Sequence, residues 1–396
     1  MNRLTSIIKF KKFDKYVYAL VVIVIVSRFL TLAYPSIDSL FQYIGIIASI
    51  LSFALVFKFA SLSRFSFVYL FLILLMLFSQ YVYTAHVYNQ SLYFFFSASF
   101  TYIYCLLFFS FVYLFKRYGV ETLLRKLQYI ALIIASFMII AAIIKNVIGV
   151  SLIEAMRERS GTARLAEPEI VDVEILFSFW SFFKYKWNKK DFLVSVICIA
   201  AIFCVSQTRV IEIVLIACSC VLLFSQNKGA NKKFYVIAFI CIVSFSLVES
   251  GVASTFIDSF SLSGQESDST IARIREVTYY MSLFADHPVM GIGMIAYNSP
   301  LHYLISGRLG NYYIEDVGII GALGTIGLWI VPLFLVPVIF FIKKVRYADN
   351  ELCPLYISLI FYTIGTSLTL LIVYPFLSPV WPMLIAMFDV INRKKI

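Results

Sequence analysis

Runs of some twenty apolar residues, parted by short basic clusters, recur from one end of this chain to the other, and they limit its fold more than any other feature. Residues 16–34 and 39–57 are the first two. About 20 apolar residues is the length a helix needs to cross a hydrocarbon layer, where the backbone must satisfy its own hydrogen bonds as a helix or a closed barrel. The alternation of period two that marks a barrel strand is nearly absent. Composition agrees, with 61% hydrophobic and 14% charged residues, against about 25% charged in ordinary soluble domains. The chain therefore reads as an all-α polytopic membrane protein, a single integral domain over 1–396. Apolar runs near 16–34, 39–57, 65–84, 92–115, 128–148, 170–183, 191–206, 209–226, 234–249, 314–342, 353–373 and 376–391 predict about 12 transmembrane helices. Polar outer loops fall at 149–169 and 249–313. Met1 to Lys15 is basic and leads into an ordinary span, without the cleavage site of a signal peptide.

The net charge of +11 would suggest a nucleic-acid partner in a soluble protein. Here most of the 33 Lys and Arg residues fall in alternate loops, as the positive-inside rule requires. That pattern places both termini in the cytoplasm, makes the bilayer the partner of the basic residues, and needs no nucleic acid. The exceptions are Arg28, Lys145, Arg157, Arg159, Arg164, Arg209, Arg273, Arg275 and Arg308, all arginine but one. Arginine carries a permanently charged fork that grips phosphate or carboxylate with two parallel hydrogen bonds. An outward set of arginines points to a phosphorylated or acidic ligand at the outer leaflet. The seven cysteines lie in or beside apolar runs, which suits small hydrophobes better than a disulfide framework or a metal site. No cofactor is expected.

Several stretches concentrate the polar residues. Arg28 sits in the outer half of the first span, where a charge faces a cavity or snorkels to the headgroups. The loop Ser151 to Glu169 sets Arg157, Arg159 and Arg164 among Glu154, Glu158, Glu167 and Glu169, and Glu167-Pro168 stands at the mouth of the next span. Ser206-Gln207-Thr208-Arg209 divides two apolar runs. Arg209 then opens a helix, where it either pairs with Glu212 or joins the helix end in holding a phosphate. In the large loop, Asp268-Ser269-Thr270 starts a helix that His287-Pro288 ends. Ile271, Ile274, Val277, Met281, Phe284 and Ala285 share one of its faces, with Arg273 and Arg275 on opposite edges. That is the pattern of a helix lying apolar side down on a membrane surface. Gly291-Ile292-Gly293 follows no strand and reads as a flexible turn rather than a dinucleotide site. His287 and His302 are loop histidines, for which hydrogen bonding is the simpler role. Glu315-Asp316 opens the span 314–342 as a helix cap or as a base for a hydroxyl.

Taken together, these motifs resemble the Wzy-type O-antigen and capsule polysaccharide polymerases and the related O-antigen ligases. The resemblance rests on Arg157 through Gly161 to Pro168, Ser206-x-Thr208-Arg209, Arg273, His287-Pro288 with Gly291-x-Gly293, and Asp316-x-Gly318 running to Gly327. It implies a fold like the GT-C-type glycosyltransferases and a bacterial cytoplasmic (inner) membrane location. It also implies metal-independent transfer of a glycan from undecaprenyl pyrophosphate to a lipid-linked acceptor, with a chain-length regulator as a further partner. The arginines would stabilise the departing pyrophosphate: Arg209 and Arg273 first, then Arg164, Arg157 and Arg275, with Arg28, Arg308, His302 and Glu315 as further substrate contacts. Glu167, Asp316, Glu315 and His287 remain alternative bases. His302 is followed by Tyr303 rather than the Asn or Ser associated with the ligase histidine, which favours the polymerase. A flippase would carry its essential charges near the membrane midplane, whereas the spans here read as nearly free of central acidic residues.

Overall fold

The computed structural model describes residues 11–59, 63–159, 162–165, 168–185, 188–206, 208–226, 267–307, 310, 312–367 and 379–391. The predicted span 234–249, Glu167 and Arg308 lie outside them, as do the side chains of Arg157, Arg209 and Glu315. In chain order the described helices are α1 (Lys12–Ala33), α2 (Asp38–Val56), α3 (Arg64–Tyr88), α4 (Leu92–Ile103), α5 (Leu107–Tyr118), α6 (Val120–Ile148), α7 (Glu169–Lys184) and α8 (Lys189–Ala200). They continue with α9 (Arg209–Gln226), α10 (Ser267–Asp286), α11 (Tyr303–Ser306), α12 (Ile314–Ile326), α13 (Val336–Val345), α14 (Cys353–Thr366) and α15 (Val380–Asp389). One antiparallel ribbon, β1 (Arg157–Arg159) with β2 (Thr162–Arg164), lies between α6 and α7.

By length and apolarity α1, α2, α3 and α6 each suffice to cross a membrane. Two more spans arise if bent pairs count as one each: Leu92–Phe100 with Tyr104–Tyr118, bent by 52°, and Asp316–Trp329 with Val331–Val345, bent by 107°. The described residues thus give four to six candidate spans by this measure, with three shorter apolar helices besides, and the expected span 234–249 lies outside those residues. Other expected runs are helical over part of their length. The run 191–206 is α8 followed by a wide π-helical turn, Ala201–Ser206. The runs 353–373 and 376–391 are described as helix only over Cys353–Thr366 and Val380–Asp389.

Helix ends follow familiar chemistry. The Ser63 hydroxyl accepts from the Ser66 amide at the start of α3, and Asn188 accepts from Lys190 at the start of α8. Asn89, left-handed at φ 53°, stops α3. Aromatic rings fill the centre: Phe341 stacks on Phe388 at 4.1 Å between α13 and α15. The buried indole of Trp381 donates to the Tyr69 hydroxyl at 2.8 Å, and that hydroxyl donates to the Leu333 carbonyl at 3.1 Å. This chain ties α15, α3 and the bend before α13 together.

Contacts between helix ends sort the bundle into two poles. At one, Lys145 reaches the Met156 carbonyl, the Leu165 amide reaches Val205, and the Ile319 amide reaches Ser367. At the other, Lys184 pairs with Glu121 and Glu351, Arg125 with Asp191, and Arg117 with the buried Asp14. Between the poles, α7 corrects one sequence expectation. Glu169, Asp172 and Glu174 are all buried inside the bundle, so acidic groups do enter its interior.

Replacing Tyr69 with Phe leaves the Trp381 N–H and the Leu333 carbonyl without that partner, at about 1–3 kcal/mol for each buried group. The expected outcome is a lower thermal unfolding midpoint in detergent; an unchanged midpoint would contradict this role.

Candidate active site

The site is assembled where helices break. The π-helical turn Ala201–Ser206 leaves backbone carbonyls of its last residues without intrahelical donors. The ribbon supplies donors: the Leu165 amide bonds Val205 at 3.2 Å, and Arg164 Nε–H bonds the Ser206 carbonyl at 2.8 Å. Arg164 Nη2 lies 3.5 Å from the Thr208 hydroxyl, which itself sits 2.9 Å from Ser206 Oγ. In the ribbon Arg164 is paired with Arg157. Arg164 is thereby fixed against the segment that immediately precedes Arg209, the first residue of α9.

A second break lies inside α12. Gly318 adopts φ 50°, ψ −118°, a conformation closed to residues with a Cβ. The displaced amide of Ile319 bonds the Ser367 carbonyl at 3.0 Å instead of its own helix. The first turn of α12 is swung out by this kink, and it carries Glu315 and Asp316. The Tyr313 amide at its entry donates to the buried carboxylate of Glu276 on α10 at 3.1 Å.

The third break is the connection from α10 to α12. The amides of Ile292 and Gly293 bond the carbonyls of Gly324 and Thr325 at 3.0 and 2.8 Å, and the Leu328 amide bonds Pro288 at 2.9 Å. A Cβ on Gly291, at φ +62°, would come within 2.4 Å of the Thr325 backbone. Gln80 of α3, fully buried, donates to the Met290 carbonyl at 2.9 Å and accepts from the Met294 amide at 3.2 Å. The stretch expected to be a flexible turn is therefore a buried, hydrogen-bonded brace, because its glycines allow backbone to pack directly on backbone.

α10 runs almost as the sequence indicated, but its inward face differs. Tyr280 is fully buried, its hydroxyl donating to the Ile305 carbonyl at 2.7 Å, and Glu276 is 2% exposed. Ile274 and Met281, assigned to the apolar underside, are 53% and 42% exposed. The expected common face is thus divided: Ile271, Val277 and Phe284 are half-buried, whereas Ala285 is exposed. Packing against α12 turned the helix to bury its tyrosine and its bonded glutamate.

These breaks converge electrostatically. Partial desolvation acts most strongly on the Asp316 carboxyl, and the positive charges of Arg273, exposed on α10, and of Arg164 act against it. Guanidinium groups are the side chains best suited to grip an anion such as a phosphate, and these two act on the same carboxyl. Other candidates lie elsewhere or are structural. Arg28 is 2% exposed in the bundle, where its charge acts on Tyr104, so it does not snorkel. His302 precedes α11 with Nδ1 3.3 Å from the Ser299 carbonyl, and His287 ends α10, its amide bonded to Leu283. Arg275 is exposed. Sequence reasoning missed Gln80 and Glu276. Gln80 had a visible signal, a lone amide in an apolar run; Glu276 looked like any charged residue of a surface helix.

Residues 192–331 match the O-antigen ligase family. The matched stretch runs from α8 through the 206–209 break and α10 to the kinked α12, and so holds Arg273 and Asp316 but not Arg164. No curated protein matches the chain.

Replacing Gln80 with Leu strips partners from two buried backbone groups, again about 1–3 kcal/mol each. Hydrogen–deuterium exchange over 288–296 is expected to accelerate in that variant; unaltered protection would mean that α12 alone holds the brace.

Proposed function

We propose that this chain is a membrane glycosyltransferase of polysaccharide biosynthesis, working at the outer face of the bacterial cytoplasmic membrane. It polymerises repeat units carried on undecaprenyl pyrophosphate. The observation that carries this reading is the joint action of Arg273 and Arg164 on Asp316; the match of 192–331 to the O-antigen ligase family supports the reaction class.

In this reading a hydroxyl of the acceptor unit attacks the anomeric carbon of the donor glycan. The bond from that carbon to the pyrophosphate oxygen breaks, and its electron pair leaves with the lipid pyrophosphate. Asp316 takes the hydroxyl proton, since of the four carboxylate and histidine candidates it is the one described beside two arginines. Arg273 and Arg164 stabilise the charge that grows on the leaving group, as positioned donors do for charge that develops in a transition state. Arg209 opens α9, and the amide donors of a helix N-terminus suit it to the role of a further phosphate contact. The exposed Ile274, Met281 and Val289 lie against the bilayer surface, holding Arg273 level with lipid phosphates.

A second reading is transfer of finished polymer to a lipid A-core acceptor, favoured by the family matched being described as O-antigen ligase. Both readings need the same donor chemistry and differ in the acceptor.

Arg273→Ala and Asp316→Asn are each expected to lower transfer by about 100-fold or more, the scale of losing one preorganised transition-state donor, with folded protein still in the membrane. Arg275→Ala is expected to have a smaller effect. Gel profiles of surface glycan are the measurement: in a polymerase the two variants leave single-repeat product, in a ligase they leave uncapped lipid A, and normal-length chains from both refute the site.

A further inference from the structure

Glu174 lies inside the bundle on α7, 0% exposed, and neither carboxyl oxygen accepts a hydrogen bond from any described residue. The groups that act on it come from three other helices: Arg125 of α6 and Asp191 of α8 act on its charge, and it acts in turn on Tyr18 of α1 and Cys198 of α8. Asp172, also on α7, acts on the same Cys198 and accepts from the Tyr362 hydroxyl of α14 at 2.8 Å. An ionised carboxylate taken from water without donors costs far more than a domain can spare, so such a group persists as the neutral acid or beside a cation. Among the described residues no three His, Cys, Asp or Glu side chains come together to hold a metal ion. A proton is then the fitting occupant.

The surroundings also give that proton a route. Residues 174, 178 and 181 recur at i, i+4 and i+7, one face of α7. Ser178 Oγ accepts from Gln128 at 2.8 Å, and Gln128 donates as well to Asp191 at 3.2 Å. The Ser181 hydroxyl donates to Asp191 at 2.6 Å and accepts from Arg125 at 2.7 Å. Arg125 is partly exposed, at the pole where Lys184 and Glu121 meet water. Buried polar side chains of this kind are rare in membrane bundles and mark proton or ion routes when they occur in series.

We propose that Glu174 is a reversible proton-binding site within the bundle, reached from the Arg125–Asp191 pole along Ser181 and Ser178. A proton enters from water at that pole and is carried by water between the side chains of this face, since neither Ser178 nor Ser181 bonds Glu174. The net change is one O–H bond formed on Glu174 and one proton withdrawn from that aqueous side. This site lies on a different helix from Arg273 and Asp316, and it stands whether or not they transfer glycans.

The test uses the full chain in liposomes and the apolar reagent dicyclohexylcarbodiimide, which modifies protonated carboxyls. Peptide mass spectrometry is expected to find the adduct on Glu174, with a rate that falls as pH rises, approaching 10-fold per pH unit, and with no adduct there in Glu174→Gln. After a pH jump, Ser178→Ala with Ser181→Ala is expected to slow the change in labelling rate several-fold. Should Glu174→Gln fail to fold, tandem sequencing of the wild-type adduct still locates the site. No adduct at Glu174, or a rate independent of pH, overturns the binding site; a double variant that follows the jump as fast as wild type overturns the route.

Discussion

Helices that break inside an apolar bundle must find new partners for the backbone groups they release, because no surrounding solvent will supply them. Most of this structure's particular geometry follows from that obligation. The carbonyls freed after the π-helical turn draw in Leu165 and Arg164. The amide freed at Gly318 reaches Ser367, and the connection after α10 is held by Gly324, Thr325 and Gln80. All three repairs lie at one pole of the bundle. The charges of Arg164 and Arg273 reach Asp316 at that pole.

The same logic separates two kinds of polar residue. At the opposite pole, Asp14, Glu121 and Asp191 are matched by Arg117, Lys184 and Arg125 at 3.0–3.4 Å, so those charges fasten helices to one another. Around Asp316, the charges of Arg273 and Arg164 both act on one carboxyl, and Arg164 is held by the Ser206 carbonyl rather than fastening two helices through an acid. α7 joins the two regions, with buried acids in its first turns and its serines bonded to the opposite network. The buried acids and bonded serines of α7 make the interior of the bundle polar along one helix.

What the sequence determined by itself is the helical class, because lipid-length apolar runs have no other way to satisfy their backbones, and the location of helix boundaries where local chemistry is strong. Asp268-Ser269-Thr270 and His287-Pro288 bracketed α10 to within a residue or two. The break at 206–209 was legible for the same reason: polar residues interrupt a run that is otherwise too long for one span. The arginines that depart from the alternating basic clusters were visible as a set because lysine dominates those clusters.

Only the tertiary structure decided which face of α10 turned inward, that Gly291-Ile292-Gly293 is a brace, and that the charge of Arg164 rather than Arg28 acts on Asp316. Each outcome depends on partners distant in the chain. Glu276 is buried because the Tyr313 amide needs an acceptor, and Gln80 because Met290 and Met294 each need a partner, more than two hundred residues away. Periodicity records how a helix divides its own surface between polar and apolar, but not which groups another segment has left unsatisfied. Pairing of that second kind placed the site, and it exists only once the chain has folded.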